Sequence, residues 1–146
     1  ALICAQLLHA GRYAKVENCV APSPIRAPIN KFTPRELTHE DILRTINDFV
    51  TAAANAQAAG FDGVEVMGSE GYLLNEFTAP HTNKRTDDWG GSVENRHRLP
   101  TAVVGAVRDH CGPNFMIIYP RHRNSAAGPK GRSRGRGHAE HWDRLA

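Results

Sequence analysis

The sequence predicts an α/β fold built on a parallel sheet. Three observations carry this: short apolar runs at residues 3–8, 63–67 and 115–119, helical spacing in the two stretches between them, and turn residues at the changeovers. Three strands alternating with two helices make a βαβαβ unit, whose crossovers require parallel strands in either a doubly wound or a barrel architecture. Spacing alone does not choose between them. In both, ligands gather at the carboxyl ends of the strands, which here are residues 9–12, 68–72 and 120 onward.

The first run, residues 3–8, suits a buried strand. Gln6 is its oddity. A period of two puts Cys4, Gln6 and Leu8 on one face, so a buried Gln6 needs polar partners, which a ligand could supply. Residues 10–37 carry Pro22, Pro24, Pro28 and Pro34 with no usable period, and loops this long are usually functional or disordered. The next element is the surest. Thr38-His39-Glu40-Asp41 is a capping-box start, after which Ile42, Leu43, Ile46, Phe49, Val50 and Ala53 recur at helical spacing until Gly60. Residues 63–67 form the second strand, with Val64 and Val66 opposite Glu65 and Met67. A second helix is expected from near Ser92 to Cys111, kinked or interrupted at Pro100, and residues 115–119 form the third strand.

Composition excludes several classes. With 146 residues, 40% hydrophobic and 23% charged, the chain has an ordinary globular profile. No run approaches the ~20 apolar residues of a bilayer span, and no secretory signal stands at the start. Cys4, Cys19 and Cys111 are odd in number and form no C-x-x-C, so neither a disulfide framework nor a metal site is read, and a reducing cytoplasm is the expected compartment. The net charge of +3 hides an asymmetry: residues 1–119 hold 11 Lys and Arg against 13 Asp and Glu, residues 120–146 hold 7 against 2. That tail has no Val, Ile, Phe or Met and is expected to be disordered.

The densest candidate site is the loop Met67-Gly68-Ser69-Glu70-Gly71-Tyr72, followed by Leu73-Leu74-Asn75-Glu76-Phe77. A phenol is protonated at neutral pH and can give its proton to a developing carbanion, which makes Tyr72 the residue of interest. The alternative is structural: Tyr72, Leu73 and Phe77 as the apolar face of a short helix. Glu65 is read as a buried structural carboxylate paired with a cation. His9 and Arg12 are read as ordering the strand-end loop, and His39 as exposed helix-start material.

Gln6-Leu7-Leu8-His9-Ala10-Gly11-Arg12, then residues 60–75, Thr82 to Ser92 and Glu94-Asn95-Arg96, closely resemble the old yellow enzyme family of flavin-dependent reductases, with the best match in its bacterial 2,4-dienoyl-CoA reductase branch. The resemblance runs from about Leu2 to Tyr119. It implies a partial (β/α)8 TIM barrel, roughly strands 3 to 5 of eight, in a domain spanning residues 1–119 with FMN at the barrel mouth. It also implies that Gln6 bonds the flavin pyrimidine ring, that Tyr72 protonates the substrate carbon after the flavin delivers hydride, that Glu70 tunes that transfer, and that His81 lies near the substrate channel. NADPH would be the electron source and an acyl-CoA ester the substrate, with FAD and a 4Fe-4S cluster in the parent enzyme held outside this chain. Many relatives place a His and an Asn or second His at the positions of Met67 and Glu70 to hold an enone oxygen. Neither residue here donates, which favours the dienoyl-CoA branch.

The pattern breaks after Tyr119. Pro120 stands where the family has a flavin-contacting arginine, and Arg121 comes one place late, which reverses side-chain direction on a strand. The switch to Gly, Arg, Ser and His over residues 120–146 reads as a reading-frame slip, and the whole as an internal piece of a barrel that alone binds FMN weakly or not at all. One alternative is another old yellow enzyme relative acting on enones or amines; the rival from a different class is an RNA or anionic-surface binder built on the Arg/Gly tail. Only Trp142 offers a stacking ring in that tail.

Overall fold

A computed structural model describes residues 1–120; the expectations for Arg121, Trp142 and the rest of the basic tail lie outside the described residues. The chain runs β1 (Cys4–Leu7), a 3-10 turn (Gly11–Tyr13), β2 (Val20–Ala21), β3 (Arg35–Glu36), α1 (His39–Ala58), β4 (Gly63–Val66), α2 (Leu73–Thr78), α3 (Val93–Cys111) and β5 (Met116–Ile118). Strands β1, β4 and β5 form one parallel sheet in the order β1-β4-β5, so the βαβαβ reading holds. Among the described residues the sheet does not close. The short β2–β3 pair, also parallel, and the 3-10 turn lie inside the stretch that had no sequence period.

One face of the sheet is covered. Ala5, Leu7, Val64, Val66 and Ile117 point to α1 and α3, whose Ile42, Phe49, Ala53, Leu99, Val103 and Val107 complete the core. The other face carries Gln6, Glu65 and Ile118 side by side in register. At its lower end Gly63 lies between Cys4 and Met116, and their sulfurs meet at 3.8 Å across it. No described element covers this face, which explains one correction. Gln6 is exposed, so the condition under which it would need an internal partner does not arise. Glu65 is half-buried and makes no ion pair among the described residues, so it is not the cation-paired core carboxylate the sequence suggested.

The helix ends follow their local chemistry. Thr38 and Asp41 form the expected reciprocal capping box, and the Arg35 guanidinium together with the Thr38 amide holds the Asp41 carboxyl at about 2. Gly60 at φ +89° closes α1, with Gly60 N–H bonded to the Gln57 carbonyl and Phe61 N–H to that of Ala56, the pairing of a Schellman turn. Leu43 is 49% exposed, whereas Thr45 takes a buried place on α1 by returning its hydroxyl to the Asp41 carbonyl. Ser92 caps α3, which runs through Pro100 without the expected interruption. Pro100 removes one backbone donor, and the burial of Leu99, Pro100, Val103 and Val107 along the same face offsets that loss.

Arg85 fastens the long loops to this frame. Its buried guanidinium donates to the Leu37 carbonyl at 2.7 Å and the Pro22 carbonyl at 3.2 Å, and pairs with Asp87 at 2.5 Å and Glu36 at 3.3 Å. Asn83 adds bonds to the carbonyls of Phe77 and Trp89, each 2.8 Å.

Candidate active site

The carboxyl ends of β1 and β4 are laced together. Met67 N–H bonds the Leu7 carbonyl at 2.9 Å, and Leu73 N–H bonds the His9 carbonyl at 3.0 Å. The strand that ends near Gln6 and the loop that holds Tyr72 are therefore tied by backbone. Beyond β1, His9 Nδ1 accepts the Gly11 N–H at 3.1 Å, as expected of a loop-ordering residue, and burial lowers its tendency to protonate.

The β4 loop turns sharply. Glu70 at φ +60° and Gly71 at φ +80° are consecutive left-handed residues, and the Asn75 side chain accepts the Gly71 N–H at 2.9 Å. A non-glycine residue held there stores backbone strain directly beside Tyr72. Tyr72 is the residue before the first turn of α2, half-buried, with its ring edge-on to Tyr13 at 6.1 Å between centroids and 81° between planes. The short helix of the structural alternative exists, but it begins at Leu73. Leu73, Leu74 and Phe77 are its buried apolar residues, and Tyr72 stands outside that face.

The other candidates are scattered in environment. Glu70 is exposed, and Met67 is half-buried with its sulfur accepting from Ser69 Oγ at 3.2 Å. His81 is exposed in the loop beyond α2. A cavity of about 300 Å³ opens between β1 and α1, lined by Gln6, His9, Thr45, Asp48 and Phe49 among others. Neither Tyr72, Glu70 nor His81 lines it, so this hollow is a gap beside β1 and does not unite the candidates.

Three residues were given no role in the sequence reading. Tyr13 supports the Tyr72 ring. Gly68 abuts the Tyr119 ring so closely that any Cβ would collide with it, which brings the end of β5 onto the same loop. Glu76, 1% exposed, accepts the Arg12 N–H at 3.0 Å through Oε1, and burial raises its carboxyl to about 8. The signal for Glu76 was present: a carboxylate flanked by Leu73, Leu74 and Phe77.

The sequence profile of the NADH:flavin oxidoreductase / NADH oxidase family matches residues 1–135, past the Tyr119 at which the resemblance was read to end. The chain belongs to that family. It is 50% identical over 115 residues to an NADPH dehydrogenase of Bacillus licheniformis, covering 77% of this chain and 34% of that one. It is 47% identical over 122 residues to a metal reductase of Desulforamulus reducens, covering 81% of this chain and 18% of the relative. Among solved structures it superposes on morphinone reductase in complex with tetrahydroNAD with a TM-score of 0.76 at 36% identity, covering 82% of this chain and 38% of that one. A complex of 2-naphthoyl-CoA reductase with 2-naphthoyl-CoA gives a TM-score of 0.77 at 32% identity, with 82% and 21% covered. The chain thus spans about a third of the NADPH dehydrogenase it matches; its three described strands form a parallel α/β sheet, and its structural neighbours are TIM-barrel old yellow enzymes. No helix among the described residues is long and apolar enough to cross a membrane.

Family membership implies FMN. The open sheet face fits one edge of it: the exposed Gln6 amide makes no hydrogen bond among the described residues and offers both a donor and an acceptor to a pyrimidine edge.

Proposed function

We propose that residues 1–119 belong to the FMN-binding domain of an NAD(P)H-dependent reductase that adds hydrogen across an activated C=C bond, with residues 120–146 as a separate basic tail. The observation that carries this reading is the placement of Tyr72 and Gln6 at the carboxyl ends of adjacent parallel strands, joined by the Leu73–His9 and Met67–Leu7 backbone bonds. Gln6 would hold the flavin edge. The chemistry that bound FMN would supply there is hydride donation to one alkene carbon, with NADPH as the source of electrons. Tyr72 would give its phenolic proton to the other carbon and regain one from solvent, so that the double bond gains two hydrogens at the cost of one NADPH and one proton. Glu70, two residues away, would tune that proton transfer, and His81 would contact substrate from the loop beyond α2.

The finer assignment is to a 2,4-dienoyl-CoA substrate, with FAD and a 4Fe-4S cluster held elsewhere in the parent enzyme. Met67 and Glu70 support it, because neither donates a hydrogen bond to an enone oxygen. The similarity to 2-naphthoyl-CoA reductase, whose complex holds a CoA thioester, supports a thioester substrate more generally. An enone substrate is the second reading, favoured by the likeness to morphinone reductase.

The test replaces the matching barrel segment of the B. licheniformis NADPH dehydrogenase with residues 1–119. The chimaera is loaded with FMN, reduced with NADPH and reoxidised with a 2,4-dienoyl-CoA ester or with 2-cyclohexenone. Faster reoxidation by the thioester supports the dienoyl-CoA assignment, and faster reoxidation by the ketone supports the second reading. A chimaera that folds, takes up FMN and is reoxidised by neither overturns the proposed activity.

A further inference from the structure

We propose that Glu76 is a positioning residue: its carboxyl latches the loop after β1 to the helix after Tyr72, and so fixes Tyr72 relative to Gln6. This rests on the reading of Gln6 and Tyr72 given above. Glu76 lies one helical turn beyond Tyr72, and its own N–H bonds the Tyr72 carbonyl at 2.8 Å. Its side chain reaches back across the site. Oε1 accepts the Arg12 N–H at 3.0 Å, and the carboxyl rests against the Cα of Gly11, where an added Cβ would come within 2.5 Å of either oxygen. Gly11 at φ +56° therefore serves two needs, a left-handed turn and room for this carboxyl.

The contact closes a ring of connections. From Gln6 the chain passes through His9, whose carbonyl takes the Leu73 N–H, to Arg12, held by Glu76, and Tyr13, whose ring meets Tyr72. The backbone at Glu76 is held separately: Thr82, in the loop beyond α2, donates its hydroxyl to the Glu76 main-chain carbonyl at 2.7 Å. Asn30 steadies the far side by donating to the carbonyls of Arg12 and Ala14, each at 2.8 Å. Glu76 is thus the only side chain among the described residues that bonds the 3-10 turn directly to α2.

Its chemistry is unusual for such a post. Glu76 Oε2 and Arg12 Nε are both buried without a hydrogen-bond partner among the described residues, and the two side chains form no ion pair with each other. Arg12 is the charged group on the facing loop that acts on Glu76, through its backbone N–H and its guanidinium. A protonated carboxyl needs no counter-ion, and Gln reproduces its shape and its acceptor.

The experiment uses the full 146-residue chain and the variants Glu76→Gln and Glu76→Leu, with amide hydrogen exchange at Arg12 and Leu73 as the first readout. Leu73 N–H bonds His9, not Glu76, so it reports whether the two loops stay docked. Exchange at both amides should rise about tenfold or more in Glu76→Leu and stay within about threefold of the parent in Glu76→Gln. A purely local role would move Arg12 alone and overturns the proposal. If Glu76→Leu fails to fold, judged from the Val64 and Ile42 amides, Gly11→Ala displaces the same carboxyl from the other side and must speed Leu73 exchange; if it does not, the proposal falls. In the chimaera, Glu76→Leu should slow reoxidation by alkene about tenfold or more while changing flavin reduction by NADPH by less than about threefold. Equal slowing of both steps overturns the positioning role. A chimaera that never turns over sinks the proposed function, and the exchange data then decide the latch independently.

Discussion

The Tyr72 ring meets Tyr13 edge-on, with centroids 6.1 Å apart and planes at 81°. Such contacts contribute roughly 0.5–1.5 kcal/mol beyond area burial and fix ring orientation, so the neighbouring loop aims the phenol. Tyr72→Phe keeps that contact and removes only the hydroxyl. In the chimaera, reoxidation by alkene should fall about 10²- to 10⁴-fold while flavin reduction by NADPH stays unchanged, as stopped-flow absorbance would read. Slowing of both half-reactions would instead place Tyr72 in cofactor or nicotinamide binding.

Gly71 is constrained twice. Its φ of +80° suits glycine, and an added Cβ would stand 2.8 Å from the Tyr13 ring. Gly71→Ala should destabilise the chain by about 1–3 kcal/mol in urea unfolding, with reoxidation slowed further because Tyr13 must move from under Tyr72. Pairing it with Tyr13→Ala should recover part of the steric cost and none of the backbone cost.

The strands and long helices were legible in the sequence because each carries its own signal: Val64 and Val66 alternate with Glu65, and Thr38 and Asp41 announce a helix start that Gly60 ends. The resemblance of residues 6–12 and 60–75 to a known family located the candidate loop. Less legible was whatever depended on partners distant in the chain. Glu65 was assigned burial, but strand periodicity says which residues share a face, not whether anything covers it. Glu76 was passed over because its importance comes from Arg12, 64 residues earlier. Pro100 was read as a kink or interruption because propensity counts the lost hydrogen bond and not the packed face around it.

Arg85 tests the frame that holds the site. Its fork serves two carbonyls and two carboxylates at once, a geometry a lysine ammonium cannot reproduce. Arg85→Lys should cost about 2–4 kcal/mol, measured by denaturant unfolding, through carbonyls left unsatisfied at Leu37 and Pro22. A loss below about 0.5 kcal/mol would show that the loops are held by other contacts.

Stability should depend on pH through Glu76. Its carboxyl, ordinarily near 4.5, is raised to about 8 by burial, with the Arg12 N–H and guanidinium opposing. Below 4.5 folded and unfolded chains both hold the proton. Between 4.5 and 8 the unfolded chain has lost it and the folded chain has not, so stability falls as pH rises, by up to something on the order of 4 kcal/mol, and is flat above 8. His9 acts oppositely: burial lowers its value from 6.5, so stability rises with pH up to about 6.5. Glu76→Gln removes the first effect and leaves the second. Its unfolding curve should therefore diverge from that of the parent chain as pH rises from 5 to 8, and parallel curves would mean the carboxyl is already ionised in the folded chain.

Met67 and Glu70 offer the sharpest test of substrate class. They stand on the loop between β4 and Tyr72, one with a thioether and the other with a carboxylate, groups that accept rather than donate hydrogen bonds. An enone oxygen gains charge as hydride adds to its β-carbon, so donors aimed at that oxygen lower the barrier, and removing such a donor elsewhere costs about 10²–10³ in rate. The double variant Met67→His, Glu70→Asn places two donors on this loop, and Asn tolerates the left-handed backbone at position 70, where φ is +60°. In the chimaera, reoxidation by 2-cyclohexenone should rise about tenfold or more, with no matching gain for the dienoyl-CoA ester. If the parent loop already turns over the ketone as fast as its variant does, the substrate oxygen is held by other groups and these two residues do not set specificity.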